Sequence, residues 1–318
     1  MTKRAAPYPS DRISLREVGM RDGLQLVKRF PATAAKIQWL RDEHEAGVRH
    51  FELGSFLPPA RFPQFADIGA LIGEAHALQN LHCAALAMNE RGLEDALASS
   101  VNEIVCVVSA TEAHAQANMR RSREGAIALI RAAAQKRDAA SPDKLVNAGI
   151  AMAFGCSISG AVDPGEVVRL AEACLEAGAD IVGIADTVGY AGPKQVGRLC
   201  ASMSALCGSR PFIVHLHDTR GLGIANAAAA LDNGARVLDG ALGGLGGCPF
   251  APGATGNVVF EDLVYLAETM GFATGIDLDR LTRVRTILSD SMQGEPLFGA
   301  LARAGPPQNL RWQAGQTT

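Results

Sequence analysis

The chain has 318 residues, 30 of them basic and 33 acidic, giving a net charge of −3, with 48% hydrophobic residues and 34 glycines against 15 prolines. That balance excludes the basic footprint of a nucleic-acid binder, the composition of a fibrous or disordered chain, and a membrane protein, because the longest apolar runs are only strand-sized. The first twelve residues carry charge with no apolar core behind them, and the seven cysteines lack paired spacing, so a cytoplasmic protein with reduced thiols is expected.

After an N-terminal arm (1–12), eight apolar, β-branched runs are expected as strands: residues 13–19, 48–55, 81–88, 102–110, 145–155, 179–187, 211–219 and 236–244. Between them lie amphipathic helical patterns such as 33–47, 163–178 and 224–234. Gly47, Gly178 and Gly234 stand where a helix needs a left-handed residue to end. Strands alternating with helices imply parallel pairing with right-handed crossovers. Eight such units without a linker fit a closed (β/α)8 TIM barrel. An open dinucleotide-binding sheet would need a glycine fingerprint after its first strand, and GMRDGLQ lacks that spacing. A Gly/Pro-rich loop (243–257) follows the eighth strand, then a helix (257–271) and a helical extension, so one barrel domain is expected over 13–303 with a tail at 304–318.

In such a barrel the chemistry sits at the C-terminal ends of the strands. His215 and His217, two apart on the seventh strand, project to one face while Leu216 goes to the other. They read either as half of a divalent metal site or as one core and one surface histidine. Asp22, just beyond the first strand and next to Arg21, is a candidate acid for the same site, or plain Asp-Gly turn chemistry. Glu52 is a carboxylate inside an apolar run, costly unless paired, and Arg21 is its nearest plausible partner, for structure or for function. Cys248 differs from Cys106, Cys174 and Cys200, which sit in apolar patterns. It lies in a glycine-rich loop where a thiol could act as general acid or base. Asn257 at the loop's end is either an N-cap or an amide whose oxygen faces the metal.

Taken together, EVGMRDGLQ, FELGSF, VHLHDTRG, GLGGCPFAPGATGN and EDLVYL resemble the 3-hydroxy-3-methylglutaryl-CoA lyase family, in order, from about residue 13 to 285. The resemblance implies a TIM barrel that binds Mg²⁺ or Mn²⁺ and cleaves an acyl-CoA substrate to acetyl-CoA and a keto acid such as acetoacetate, as in leucine degradation. It also implies roles. Arg21 resembles the catalytic arginine, Asp22, His215, His217 and Asn257 the metal ligands, Cys248 the loop cysteine, and Glu52 the strand-two glutamate. Arg21, Gln25 and Thr187 are expected to bind substrate. A homo-oligomer, a dimer, is expected, with no nucleic-acid or membrane partner.

Three segments depart from the family pattern: Gln25-Leu26-Val27, Glu52-Leu53-Gly54-Ser55-Phe56, and Gly155-Cys156-Ser157-Ile158-Ser159-Gly160. All three are expected to border the substrate, so the reaction type is implied more firmly than the acyl group. A sister lyase for a citramalyl- or methylmalyl-type thioester fits the departures. A metal-dependent aldolase acting on a free hydroxy-keto acid would not need Cys248. A silent binding barrel would be expected to have lost one of Arg21, Asp22, His215 or His217, and all four are present. For the proton on the substrate hydroxyl, His215, Asp22 and Cys248 are the candidate bases.

Overall fold

A computed structural model describes residues 7–246 and 255–307. The eight strands are β1 (Ser14–Glu17), β2 (His50–Ser55), β3 (His82–Leu86), β4 (Glu103–Ser109), β5 (Leu145–Ala151), β6 (Ile181–Asp186), β7 (Phe212–Leu216) and β8 (Val237–Gly240). Each pairs in parallel with its sequence neighbours, and β1 pairs with β8, so the sheet closes on itself as a barrel. Helices α1 (Thr33–Glu45), α2 (Ile68–Ala77), α3 (Glu90–Ala98), α4 (Glu112–Met119), α5 (Arg123–Ala140), α6 (Pro164–Glu176), α7 (Pro193–Cys207) and α8 (Gly223–Asp232) fill the crossovers, two of them between β4 and β5. The chain continues as α9 (Phe260–Thr269), α10 (Leu278–Ser291) and α11 (Ala300–Ala304). The expected barrel with a C-terminal helical extension is therefore observed.

The strands carry near-continuous apolar runs because both faces are covered. On β2, Phe51 and Leu53 point outward into the layer shared with the helices, each worth roughly 1.5–3 kcal/mol of burial. His50 and Glu52 point inward. Side-chain caps from Asn89, Thr111, Ser122, Asp163 and Asp277 start five of the helices. Gly47, Gly178 and Gly234 take φ of 107°, 102° and 93°, each just beyond a helix end. At Gly178 a Cβ would also come within 2.6 Å of the Ala134 Cβ, so two constraints select glycine there.

Several strands are shorter than their apolar runs. β5 stops at Ala151 because Met152 takes a positive φ of 59°, and the chain then folds into a hairpin in which Cys156 and Gly160 bridge each other. β8 stops at Gly240, before Gly243, Gly244 and Gly246, which all have positive φ. At the opposite end of the barrel, Tyr8 packs with Leu145, Ile181, Ile213 and Val237 and is 1% exposed. The N-terminal segment thus stops the barrel floor. Among the described residues no helix is long and apolar enough to cross a membrane.

Candidate active site

At the end of β1 the backbone widens into a single turn of π-helix, Gly19–Gly23. The Val18 carbonyl accepts from the amides of Arg21, Asp22 and Gly23 at 3.1, 2.8 and 3.2 Å. Glu17 holds the turn against the end of β8, its carboxylate accepting from Gly19 N at 2.6 Å and Leu242 N at 3.0 Å. Gly19 has no room for a side chain, because a Cβ would lie 2.4 Å from Glu17 Oε1. Such turns are frequent at functional sites because they re-aim side chains. Here the turn presents Arg21 and Asp22 together at the barrel mouth.

His215 and His217 reach the same place from β7, with Leu216 buried on the other face, as the alternation requires. His217 Nε2 lies 3.3 Å and His215 Nε2 3.8 Å from Asp22 Oδ2. The ligand atoms of Asp22, His215 and His217 all fall within 4.8 Å of one another. Asn257 does not open a helix, since the residue before α9 is Val259, which offers no side-chain cap. Instead Asn257 bridges His217, and its Nδ2 donates to Asp22 Oδ2 at 2.8 Å and to the Leu245 carbonyl at 2.9 Å. The N-cap alternative is thereby replaced by a contact with the cluster. Asn257 Oδ1 and His217 Nδ1 are buried without a hydrogen-bond partner among the described residues. One carboxylate, two imidazoles and an amide with free oxygen match the donors of a hard divalent cation, and the unpartnered Asn257 Oδ1 fits that role.

The Arg21 guanidinium spans two carboxylates, contacting Glu52 Oε2 at 2.8 Å and Asp22 through its other nitrogen. Glu52 is 1% exposed, so the pairing expected from its place in an apolar run is present. Burial alone would raise the Asp22 pKa, but the Arg21 charge and a hydrogen bond from His217 hold it well below the usual carboxylate range. For His215 burial works downward, and it is outweighed by the hydrogen bond to Asp239 and the charges of Asp22 and Asp239, which push its pKa up.

Sequence reasoning missed the polar chain beneath these residues. His215 Nδ1 donates to Asp239 Oδ2 at 3.0 Å, and Arg16 Nε lies 3.1 Å from the other Asp239 oxygen. Arg16 continues to Glu103 at 3.0 Å, and Glu103 accepts from Tyr8 at 2.7 Å and from Asn147 at 2.7 Å. The chain links the floor to the mouth. Its signal was the one used for Glu52, since Arg16, Glu103 and Asp239 are charges within apolar runs.

A cavity of about 700 Å³ opens over the cluster. Arg21, Asp22, Glu52, His215 and His217 line it, as do Gln25 and Thr187, which with Arg21 are the residues expected on the substrate. Leu26 and Ile158, from two of the three departing segments, line it too. Leu53 and Gly54 do not. Leu53 is core by the strand alternation, and a register shift between Glu52 and Ser55 turns Gly54 the same way, where a Cβ would meet the Ile68 side chain at 2.8 Å. Cys248 lies outside the described residues. Its segment leaves from Gly246, where a Cβ would sit 2.6 Å from Asn257 Nδ2 and 3.0 Å from the Asp22 carbonyl.

The HMGL-like family model matches residues 12–288. A hydroxymethylglutaryl-CoA lyase of Bacillus subtilis is 35% identical over 291 residues, covering 92% of this chain and 96% of the relative. An (R)-citramalyl-CoA lyase of Chloroflexus aurantiacus is 37% identical over 306 residues, covering 92% and 95%. An HMG-CoA lyase of A. baumannii, solved with coenzyme A and 3-methylmalate, superposes with a TM-score of 0.87 at 35% identity, covering 95% and 98% of the two chains.

Proposed function

Since the chain belongs to the HMGL-like family, we propose that it is a divalent-metal-dependent carbon–carbon lyase that cleaves a 3-hydroxy-3-methylglutaryl-CoA-like thioester. The observation that carries this reading is the meeting of Asp22, His215 and His217 beside Arg21 at the mouth of one cavity. Asp22, His215, His217 and the Asn257 amide oxygen would hold a Mg²⁺ or Mn²⁺ ion, which when bound would polarise the substrate 3-hydroxyl and lower its pKa.

The chain's own residues supply the rest. As the hydroxyl proton leaves, the C3–O bond becomes a carbonyl and the C2–C3 bond breaks, its electron pair passing into the thioester enolate. Arg21 faces that developing negative oxygen, and Glu52 holds the guanidinium in place. Charge stabilised mainly in the transition state accelerates the step. His215, Asp22 and Cys248 are the candidate proton acceptors. Cys248 is the proposed donor that protonates the enolate carbon to give acetyl-CoA. Gln25 and Thr187 line the cavity within reach of the acyl group, and Arg61 and Arg120 at its rim suit the phosphates of a coenzyme A arm.

A second substrate, the citramalyl thioester, is favoured by the relative that cleaves it and by Leu26 and Ile158 in the cavity wall. The experiment is acetyl-CoA release from both thioesters by protein stripped with a chelator and then titrated with Mg²⁺ or Mn²⁺. Turnover that needs the metal supports the reading. Full turnover in the stripped protein refutes it.

A further inference from the structure

The interior of a (β/α)8 barrel is ordinarily filled by layers of bulky branched side chains. One layer here is not. Below His215, the strand register sets Val107 beside Gly149, Gly149 beside Gly183, and Gly183 beside Ile213. Ala151 and Ala185 continue the same wall upward, and all of these except the two glycines' missing side chains bound the cavity over the metal cluster. Neither glycine is required by the backbone, since neither has a positive φ. Nor is either forced by crowding. A Cβ on Gly149 would meet only the Cys106 carbonyl, at 3.8 Å, and one on Gly183 would meet the Ile213 Cβ at 3.4 Å. A strand glycine without conformational or packing cause marks close approach by something else.

Asn147 supplies a second observation. It lies two residues before Gly149 on β5, lines the same cavity and is 3% exposed. Its Nδ2 donates to Glu103 Oε1 at 2.7 Å, and a carboxylate can only accept, so the amide orientation is fixed with Oδ1 as the free end. That Oδ1 is buried without a partner among the described residues. A buried acceptor in this condition calls for a donor. On the side of β4 and β7 the walls between it and the cluster, Val105, Val107 and Ile213, are apolar, while Arg16 and Asp239 line the side of β1 and β8.

We propose that this hollow receives the substituent on C3 of a 3-hydroxyacyl-CoA and selects one longer than methyl, with an apolar stem and a terminal hydroxyl that donates to Asn147. The inference rests on the lyase reading and names the substrate class for it. Strand spacing sets the depth. Four residues at about 3.3 Å each separate Ala151 from Asn147, which leaves a stem of about three to five atoms once the amide's reach and one hydrogen bond are allowed for.

The test compares three thioesters with a common 3-hydroxyglutaryl-CoA backbone and a methyl, butyl or 4-hydroxybutyl group on C3, with Mn²⁺ and the full-length protein. The hydroxybutyl compound should exceed the methyl compound at least tenfold in kcat/KM and exceed the butyl compound severalfold. Gly149→Val should lower the hydroxybutyl-to-methyl ratio at least tenfold, and Gly149→Ala should lower it less. Melting curves of both variants separate loss of space from loss of fold. A methyl compound that is preferred by the wild type, with a ratio unmoved by Gly149→Val, overturns the inference while leaving the lyase reading intact. Equal rates for butyl and hydroxybutyl compounds overturn the role of Asn147. No acetyl-CoA from any of the three, nor from the citramalyl thioester, overturns the lyase reading itself.

Discussion

Replacing Asp239 by asparagine should change which nitrogen of His215 carries the proton. In the native arrangement the carboxylate can only accept, so His215 Nδ1 carries the proton and donates to Oδ2 at 3.0 Å, leaving the Nε2 lone pair toward Asp22 and the cation position. Arg16, 3.1 Å from the other Asp239 oxygen, also demands an acceptor. In Asp239→Asn the amide oxygen goes to the charged guanidinium, because that is the stronger bond. The amide NH₂ then faces His215 Nδ1, which must accept, and the imidazole proton moves to Nε2, where a cation would bind. Loss of such a supporting partner typically weakens metal binding about 10–100-fold, about 1.4–2.7 kcal/mol. The assay is a Mn²⁺ titration of metal-free protein followed by electron paramagnetic resonance of the free ion, with thermal melting alongside. Asp239→Asn with native Mn²⁺ affinity and a lowered melting temperature would refute the tautomer argument and leave Asp239 as a counter-ion for Arg16.

Arg21→Met should lower kcat by at least about 10²–10³-fold with Mn²⁺ affinity nearly unchanged. It should also destabilise the fold, because it strands Glu52, which is 1% exposed, so the Arg21→Met, Glu52→Met pair should regain stability and none of the turnover. Alkylation followed by mass spectrometry should label Cys248 before five of the other six cysteines. In Cys156, 1% exposed, burial raises the thiol pKa but hydrogen bonds from Ser159 and Thr111 outweigh it and pull it down, so access alone holds it back. Burial pushes Cys83 and Cys207 up to about 11 and Cys106, Cys174 and Cys200 up to about 12, leaving little thiolate at neutral pH; earlier labelling of any of these five would contradict the burial. His50 is pulled down to about 4 by burial and the neighbouring His82, while its Nε2 donates to the Pro7 carbonyl at 2.8 Å. The unfolded chain therefore binds the extra proton first, and the fold should lose up to about 3 kcal/mol as pH falls from about 6.5 to 4. His50→Gln should flatten that part of the stability profile, and an unchanged slope would place the proton elsewhere.

What could be read in advance depended on whether a residue's reason is local. Gly47, Gly178 and Gly234 were legible because ending a helix needs a left-handed residue whatever surrounds it. His215 and His217 were legible because a period of two fixes their common face. Glu52 and Arg21 were legible because neighbouring strands bring a buried charge to its partner. Arg16, Glu103 and Asp239 were not, since nothing local to their runs names the partner and only barrel closure joins them; Arg16 and Glu103 stand 87 residues apart. Asn257 stayed open between an N-cap and an amide facing the metal, because a polar residue before an apolar run has the pattern of an N-cap, while its bridge to His217 is a contact between distant segments. Leu53 and Gly54 misled. Both follow Glu52 and were expected to face substrate, although alternation sends Leu53 outward and the register shift between Glu52 and Ser55 turns Gly54 toward Ile68. Met152, with its positive φ, gave no sign that the run to 155 would stop early.

The four proposed metal ligands come from the turn after β1, from β7 and its end, and from the segment after β8, which places them across the line where the last strand meets the first. Asp22 and Asn257, in contact through a hydrogen bond, are separated by 235 residues of chain. No partly folded species that lacks the β1–β8 junction can assemble the site, whatever the state of the other seven pairings. Bound cation therefore stabilises only the closed ring, by about 2.7 kcal/mol at a hundredfold excess over its dissociation constant, and it does so at the junction whose closure is the most remote in sequence and the most entropically demanding. Metal uptake during refolding would then report ring closure itself, arriving with the final folding phase and absent from every earlier one.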